Sequence, residues 1–175
     1  MKDLIRHIAG GIIGGTLVLF LIPYWQYDLS IKEYTVLGNT LFGSETFRIV
    51  LSLPIFLIGV VFAIWSNIFM FKFGEGGPAD IFNIPISPRT KKLITNGPYR
   101  YCRNPMLFGA ICLYTSIGIY LNSIRSLMVA WGFLVFMILY VKVFEEPRLL
   151  RDFGKDYIAY KKRVPMIFPM IRRKK

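Results

Sequence analysis

The chain has 175 residues, the length of a single domain, which argues against a multidomain enzyme. Hydrophobic residues make up 54% of the chain and charged residues 18%, whereas soluble domains carry about 25% charged residues. Together with a mean hydropathy of +0.48, this composition excludes intrinsic disorder and favours a membrane protein. The formal net charge of +12 then indicates orientation in a membrane, and no nucleic-acid partner is expected.

Four apolar runs have lengths typical of transmembrane helices or slightly below them. They cover residues 8–27, 49–71, 105–124 and 126–141, and the fourth would span about 24 Å, which is short for a bilayer. The sequence therefore predicts an all-α integral membrane protein with four transmembrane helices, forming one domain over residues 1–175.

The first run is interpreted as a retained helix rather than a cleaved signal peptide. It is long, no A-x-A cleavage site follows it, and the segment Pro23–Trp25 is expected to end it. Its glycines form two overlapping GxxxG patterns, which predict close packing of helices and leave the oligomeric state open. These glycines are Gly10, Gly11, Gly14 and Gly15.

The last two runs are separated by residues 122–125, so they are expected to form an antiparallel helical hairpin. Residues 145–163 then repeat apolar side chains at helical spacing, with Lys and Arg on the opposite face. This pattern predicts a cytoplasmic amphipathic tail helix that lies on anionic membrane lipids and is stopped by Pro165.

The distribution of charge predicts the orientation of these spans. Residues 72–104 carry six basic and two acidic side chains, and residues 142–175 carry eleven basic and four acidic ones. The positive-inside rule places these segments and both termini in the cytoplasm, with the 28–48 loop and Arg125 facing outwards. Residues 72–104 are rich in Gly and Pro and are predicted to form a structured loop rather than a helix.

A helix start is predicted at Asn104 and Pro105. Asparagine is a preferred N-cap, and proline is favoured at the first helical position. The free N–H groups of the first turn, next to Arg100 and Arg103, could bind an anion. From the residues alone, this anion site and an ordinary capped helix with snorkelling arginines are equally supported.

Adjacent carboxylates at Glu145 and Glu146 lie at the inner end of the fourth span, where they need water, a cation or a protein partner. Pro147 is expected to break the helix there. Taken alone, a solvated helix end explains this pair slightly better than a functional site does. Cys102 and Cys112 are interpreted as small apolar side chains, because on one helix they would lie about 15 Å apart, too far for a disulfide.

The sequence shows no grouping typical of a protein nucleophile or a metal site, and His7 is the single histidine. No metal and no side-chain acid–base catalyst is therefore expected. An enzyme built from this chain would need a cofactor to supply the reactive group.

Two segments carry a family resemblance. Residues 97–109, GPYRYCRNPMLFG, resemble the "GPYxxxRHPxYxG" signature of the isoprenylcysteine carboxyl methyltransferase family. Residues 145–165, EEPRLLRDFGKDYIAYKKRVP, followed by Pro169, resemble that family's closing pattern of paired glutamates, "FG", two tyrosines and "RVP". Members are integral-membrane enzymes that depend on S-adenosylmethionine and are related to phospholipid N-methyltransferases. The resemblance covers residues 71–170.

The resemblance implies that S-adenosylmethionine binds at the cytoplasmic edge, between the third and fourth spans. The implied cofactor contacts are Leu93, Ile94, Tyr99, Asn104, Pro105, Met106, Leu107 and Glu145, with support from Arg100, Arg103 and Glu146. The helix start and Glu145 would provide the two poles that a zwitterionic amino-acid tail needs.

Two positions differ from the eukaryotic members of the family. Asn104 stands where those enzymes have histidine, and Val141 stands where they have a substrate-contacting arginine. Both differences concern the methyl acceptor rather than methyl transfer itself. The asparagine and the compact four-span design resemble short prokaryotic members, which implies a prokaryotic cell membrane.

The sequence therefore predicts a membrane methyltransferase that moves a methyl group from S-adenosylmethionine to a lipid-like or prenylated acceptor. The family's carboxyl O-methylation is the first expectation, and N-methylation of a phospholipid headgroup is an alternative. A third hypothesis, from another class of protein, is a non-catalytic membrane scaffold with the same fold.

Overall fold

A computed structural model describes residues 17–37, 41, 43–74, 80–81, 84–85 and 90–170. Most of this part is helical, which confirms the predicted helical class. Its α-helices are α1 (Ile22–Leu37), α2 (Glu45–Gly74), α3 (Pro105–Tyr120), α4 (Ile124–Tyr140) and α5 (Glu146–Arg163). Between α2 and α3, the two-residue strands β1 (Asp80–Ile81) and β2 (Ile84–Pro85) pair antiparallel, and a 3-10 turn covers Gly97–Arg100.

Two helical stretches are long and apolar enough to cross a membrane by length and composition. One is α2, and the other is the continuous stretch Ile124–Arg163. In the latter, α4 supplies the apolar part, whereas half of the 18 residues of α5 are charged. Burial inside the protein reaches only 11% of the most apolar part of α2 and 17% of that of the second stretch. Apolar helices left this exposed are typical of a membrane protein rather than of a soluble core.

The expectation that Pro23 and Pro147 interrupt their helices is wrong. A proline removes one backbone hydrogen bond, and its ring collides with the carbonyl four residues earlier. In this chain a wider π-helical turn precedes each proline, over Leu17–Leu21 and over Val141–Glu145, and absorbs both effects. The helix therefore continues past each proline, through α1 and α5 respectively.

The first helix consequently has different bounds from those predicted. α1 extends to Leu37, so residues 28–37 are helical rather than part of an outer loop. Residues 8–16 of the predicted span, together with the four glycines of the two GxxxG patterns, lie outside the described residues.

The polar face of α1 docks on the hairpin formed by α3 and α4. The buried carboxylate of Glu33 accepts hydrogen bonds from the Ser123 hydroxyl and from the N–H groups of Ile124, at 3.2 Å, and Arg125, at 3.0 Å. It therefore caps the start of α4, where N–H groups lack helical partners. About two helical turns earlier on the same face, Gln26 Nε2 donates to backbone carbonyls of α3 and α4 at 2.9 Å.

The hairpin turn itself lies earlier than predicted. α3 ends at Tyr120 and α4 begins at Ile124, so Ile124 and Arg125 of the predicted link 122–125 belong to α4. Asn122 adopts a φ of 55°, and the hydroxyl of Ser123 accepts from the N–H of Ser126 at 3.0 Å as an N-cap.

Within the described residues, α2 and α3 pack closely at two glycines, Gly59 and Gly109. A Cβ added at Gly59 would lie 2.9 Å from the carbonyl oxygen of Gly109, and one added at Gly109 would lie 2.8 Å from the backbone nitrogen of Ala63. The two backbones therefore approach so closely that a larger residue at either glycine would force them apart.

The C-terminal segment, residues 164–170, returns to the start of α3. The N–H of Arg103 donates to Pro165 O at 2.8 Å, and the N–H of Asn104 donates to Met166 O at 3.0 Å. Ile167 enters a buried cluster with Leu107 and with residues of α3 and α4. Residues 164–170 thus fix the position of the segment that precedes α3, where several of the implied site residues lie.

Candidate active site

A cavity of about 110 Å³ lies where the loop before α3 meets the π turn and α5. The end of α2 contributes Met70 to its wall, and the N–H of Lys91 donates to Gly74 O at 2.8 Å, which holds the loop against α2. Its other lining residues are Thr90, Lys92, Leu93, Ile94, Tyr99, Arg103, Asn104, Val141, Glu145, Arg148, Leu149, Phe153, Tyr157 and Tyr160.

The structure brings together part of the implied set of site residues. Leu93, Ile94, Tyr99, Asn104, Glu145 and the supporting Arg103 all line the cavity. The others lie beside it. Pro105 and Leu107 are buried in the protein, with Leu107 in the apolar core, and Met106 is partly buried. Arg100 is exposed, and Glu146 contacts the site indirectly, through Arg103.

The backbone at Gly97 explains why Tyr99 points inwards. Gly97 has a φ of 58°, and a Cβ there would lie 2.3 Å from a ring atom of Phe69. Glycine is needed both for the left-handed conformation and for this close approach. The following 3-10 turn then buries Pro98 and Tyr99.

Tyr99 presents a buried polar group to the cavity. Tyr99 is 8% exposed, and its Oη has no hydrogen-bond partner within the described part of the chain. Burial, and secondarily the charge of Glu145, raises the pKa of the Tyr99 hydroxyl above its usual range. The hydroxyl is therefore a protonated donor that lacks a protein acceptor, which is costly unless a ligand or water supplies one.

Asn104 begins α3 but does not cap it with its side chain in the described structure. Its Nδ2 instead donates to the carbonyl oxygen of Met166 at 3.0 Å, beside the bond made by its own backbone N–H. The predicted side-chain cap is therefore wrong, because the C-terminal segment offers this amide a carbonyl acceptor. The N–H groups of Met106 and Leu107, in the first turn of α3, have no acceptor within the helix.

Arg103 joins three parts of the chain behind the cavity. Its Nε donates to Val164 O at 3.1 Å, and one terminal nitrogen donates to Glu146 Oε1 at 2.5 Å and to the Tyr157 hydroxyl at 2.9 Å. The other carboxylate oxygen of Glu146 accepts from Lys161 at 2.5 Å. Glu146 is therefore a structural partner of Arg103, not a solvated helix end.

The two tyrosines of α5, Tyr157 and Tyr160, form part of the cavity wall. The Tyr160 hydroxyl donates to the carbonyl oxygen of Tyr99 at 2.6 Å, and both Tyr157 and Tyr160 are buried. Burial is the main cause that raises the pKa of each of these phenols. The Tyr160 hydroxyl therefore donates to the loop before α3, whereas the Tyr157 hydroxyl accepts from Arg103, and both bonds tie α5 to that loop.

Two irregularities shape the part of the helical stretch that lines the cavity. The π turn Val141–Glu145 places its first and last residues in the cavity wall, as π turns at functional sites often do. Within α5, Gly154 has a φ of 51° and a ψ of −122°, so the helix kinks directly after Phe153. The kink turns Tyr157 and Tyr160 back towards the cavity.

Several lining residues were not identified as site residues from the sequence. The sequence pattern predicts that Leu149, Phe153, Tyr157 and Tyr160 share the apolar face of an amphipathic helix on membrane lipid. In the structure these four side chains line the cavity. The two tyrosines at helical spacing were the available signal, because buried tyrosines need hydrogen-bond partners. Met70, Thr90, Lys92 and Arg148 carried no such signal.

The cysteines and possible metal ligands take no part in this site. Cys102 and Cys112 are free thiols, in agreement with the prediction that they form no disulfide. Cys102 is buried and Cys112 is partly buried. Over the residues that the structure describes, no three His, Cys, Asp or Glu side chains form a group suited to a metal ion.

The central part of the chain is similar to known proteins. Residues 47–156 match the phospholipid methyltransferase family. The chain is also 34% identical over 85 residues to protein-S-isoprenylcysteine O-methyltransferase of Mus musculus and, equally, of Rattus norvegicus. This match covers 47% of the chain but only 29% of the length of each relative. No solved structure matches. The family match extends over more than half of the chain and includes most residues of the cavity wall. The chain therefore belongs to the phospholipid methyltransferase family.

Proposed function

We propose that the chain is a membrane-embedded methyltransferase that uses S-adenosylmethionine to methylate a lipid-like or prenylated acceptor. The observation that carries this proposal is the buried, unpartnered Tyr99 hydroxyl in a cavity that also contains Glu145. That cavity lies mostly within the segment matched by a methyltransferase family. It joins apolar walls to charged groups, as a cofactor with an adenine ring and an amino-acid tail requires.

The chemistry of the lining residues fits S-adenosylmethionine. Glu145 would accept from the cationic amino group, and Lys92 or Arg148 would receive the carboxylate. The first-turn N–H groups of Met106 and Leu107, which lie beside the cavity, would reach the carboxylate once the site widens. Leu93, Ile94 and the α5 aromatics offer an apolar surface to the adenine.

The cavity volume indicates that binding requires the site to widen. About 110 Å³ is below the roughly 300 Å³ at which small-molecule sites begin. Gly154 supplies a non-helical joint in the wall that would move, and a Cβ placed there would meet nothing within 4 Å in the described chain. Movement of the second half of α5 about this joint is the proposed route to the open site.

When bound, S-adenosylmethionine would supply an electrophilic methyl group for transfer to a nucleophilic acceptor. The protein would contribute position and exclusion of water rather than a side-chain nucleophile. Arg103 holds α5 and the C-terminal segment against the start of α3, and Tyr160 closes the wall over Tyr99. Tyr99 would stay protonated and donate its hydroxyl to the bound molecules.

The acceptor is proposed from the names of the related proteins and from the membrane setting. The curated relatives are named for O-methylation of isoprenylcysteine, and the family is named for phospholipids. An isoprenylcysteine-type carboxyl acceptor is our first proposal, and a phospholipid amine is the second because of the family name. The proposed topology has four spans, with both termini and the cavity on the cytoplasmic side of a prokaryotic cell membrane.

Replacing Glu145 by glutamine tests cofactor binding. The substitution preserves the shape of the side chain but removes its charge, and a hydrogen bond to a charged group contributes about 1.5–3 kcal/mol. Calorimetric titration of the purified protein with S-adenosylmethionine should show about 10- to 150-fold weaker binding. Asp152→Asn is the matched control, because it removes an exposed charge from α5 outside the cavity.

The two variants separate the hypotheses. Equal affinities of Glu145→Gln and Asp152→Asn would remove Glu145 from the cofactor site. Transfer of tritiated methyl groups from the cofactor to host membrane lipid and protein tests catalysis, and the product distinguishes methyl esters from methylamines. Cofactor binding without transfer to any fraction would favour the non-catalytic scaffold.

A further inference from the structure

A groove of about 560 Å³ runs between α1 and α4, away from the candidate active site. Its walls are apolar side chains of both helices, among them Ile22, Trp25 and Phe136, and Arg125 lies at one end. Trp25 is 57% exposed and Phe136 55%, so the groove opens to the surroundings of the protein.

Gly132 is one of the residues that line this groove. A Cβ added there would meet nothing within 4 Å in the described structure, whereas one added at Gly118 in the same hairpin would lie 2.7 Å from Leu127. The space next to the Cα of Gly118 is therefore filled by the facing helix. The space next to the Cα of Gly132 is not filled by the described chain.

The dimensions and the charge of the groove match one phospholipid chain. Arg125 and Phe136 are eleven residues apart on α4, which is about 16 Å along a helix. The hydrocarbon part of one membrane leaflet is about 15 Å thick, half of the bilayer core. Arg125 sits next to the hairpin turn, where a headgroup phosphate would lie if the chain occupied the groove.

The carboxylate next to Arg125 is engaged by the helix start. Glu33 accepts from the Ser123 hydroxyl and from the backbone N–H groups of Ile124 and Arg125. Arg125 lines the groove, and its charge also acts on Glu33. A cation at the end of an apolar channel is complementary to an anionic amphiphile.

We propose that this groove binds an anionic phospholipid, with one acyl chain over Gly132 and the phosphate on Arg125. The site is separate from the cavity beneath Tyr99 and does not depend on the proposed methyl transfer. It would fix α1 to the α3–α4 hairpin from the lipid side.

The test uses bromine quenching of Trp25 fluorescence. Trp65→Phe and Trp131→Phe leave Trp25 as the one tryptophan of the chain, because the sequence contains three. The purified protein in detergent is titrated with phosphatidylglycerol or phosphatidylcholine brominated in the acyl chain. We expect half-maximal quenching at about tenfold lower phosphatidylglycerol, the low end for one charge-assisted hydrogen bond.

Two variants and one control locate the lipid. Arg125→Gln should raise the phosphatidylglycerol requirement to that of phosphatidylcholine, and Gly132→Leu should reduce quenching by both lipids. Val135→Leu adds bulk to an exposed position of α4 outside the groove and should change neither result. Native mass spectrometry of the unsubstituted protein should show retained phosphatidylglycerol in preference to phosphatidylcholine.

Equal quenching by the two lipids, or a preference that survives Arg125→Gln, would overturn the proposal. So would quenching that is unchanged in Gly132→Leu. Quenching that falls as protein concentration rises, together with a dimer that Gly132→Leu dissociates, would identify a second copy of the chain as the occupant and would also overturn it.

Discussion

Removing the Arg103 side chain should destabilise the protein far more than removing Lys161, although both are cations on the same carboxylate. Arg103 and Lys161 each approach an oxygen of Glu146 at 2.5 Å. The side chains of Arg103 and Glu146 are 9% and 11% exposed, whereas that of Lys161 is 49% exposed. Arg103→Met and Lys161→Met therefore compare a buried ion pair with a solvated one around the same acceptor.

The expected magnitudes follow from these environments. A solvated pair contributes about 0–1 kcal/mol, which sets the expected cost of Lys161→Met. Arg103 also donates to Val164 O and to the Tyr157 hydroxyl, and a hydrogen bond of a charged group contributes about 1.5–3 kcal/mol. Lys161 would still neutralise Glu146 in Arg103→Met, which limits the penalty of an unpaired buried charge. We expect a loss of about 3 kcal/mol.

The measurement is equilibrium unfolding of both variants in the same detergent, followed by far-UV circular dichroism. Cofactor affinity should also fall in Arg103→Met, because the arginine holds two walls of the cavity, and should be unchanged in Lys161→Met. Equal free energies of unfolding for the two variants would show that the buried geometry around Arg103 contributes nothing beyond charge, and would refute the reasoning.

Three further predictions concern the same fold. Burial raises the pKa of Glu146, but hydrogen bonds from Lys161 and Arg103 outweigh it and hold that pKa below its ordinary 4.5. The stability that this carboxylate provides is therefore complete above about pH 4.5 and lost as pH falls through the lowered value, and Glu146→Gln should lose that part of the dependence in acid unfolding. Gly109→Ala should cost about 1–3 kcal/mol because its Cβ would meet the backbone of α2, whereas Gly132→Ala should be neutral or stabilising in the same thermal unfolding assay. Asn104→Asp should unfold more easily than Asn104→Ala, because a carboxylate would face Met166 O; a more stable Asp variant would show that the side chain caps α3 after all.

The helical class and the start of α3 at Pro105 could be predicted from the sequence, because apolar run length and proline preference are local properties. The tail helix and its end before Pro165 were predicted for the same reason. The bounds of α1 could not be predicted, because whether a helix survives Pro23 depends on the π turn that precedes it. Similarly, Glu33 is predicted to lie in an outer loop, because nothing local in the sequence shows that the start of α4 lies beside it.

The same division applies to the site. The motif resemblance identified Tyr99, Asn104 and Glu145, which share one cavity although Glu145 lies 46 positions after Tyr99 in the sequence. Their individual roles depend on contacts between distant segments: Asn104 bonds Met166, and Arg103 bonds Glu146. A sequence determines which groups are available as donors and acceptors. Only the tertiary structure decides which partner each one receives, because a buried polar group takes the acceptor that the fold brings within reach.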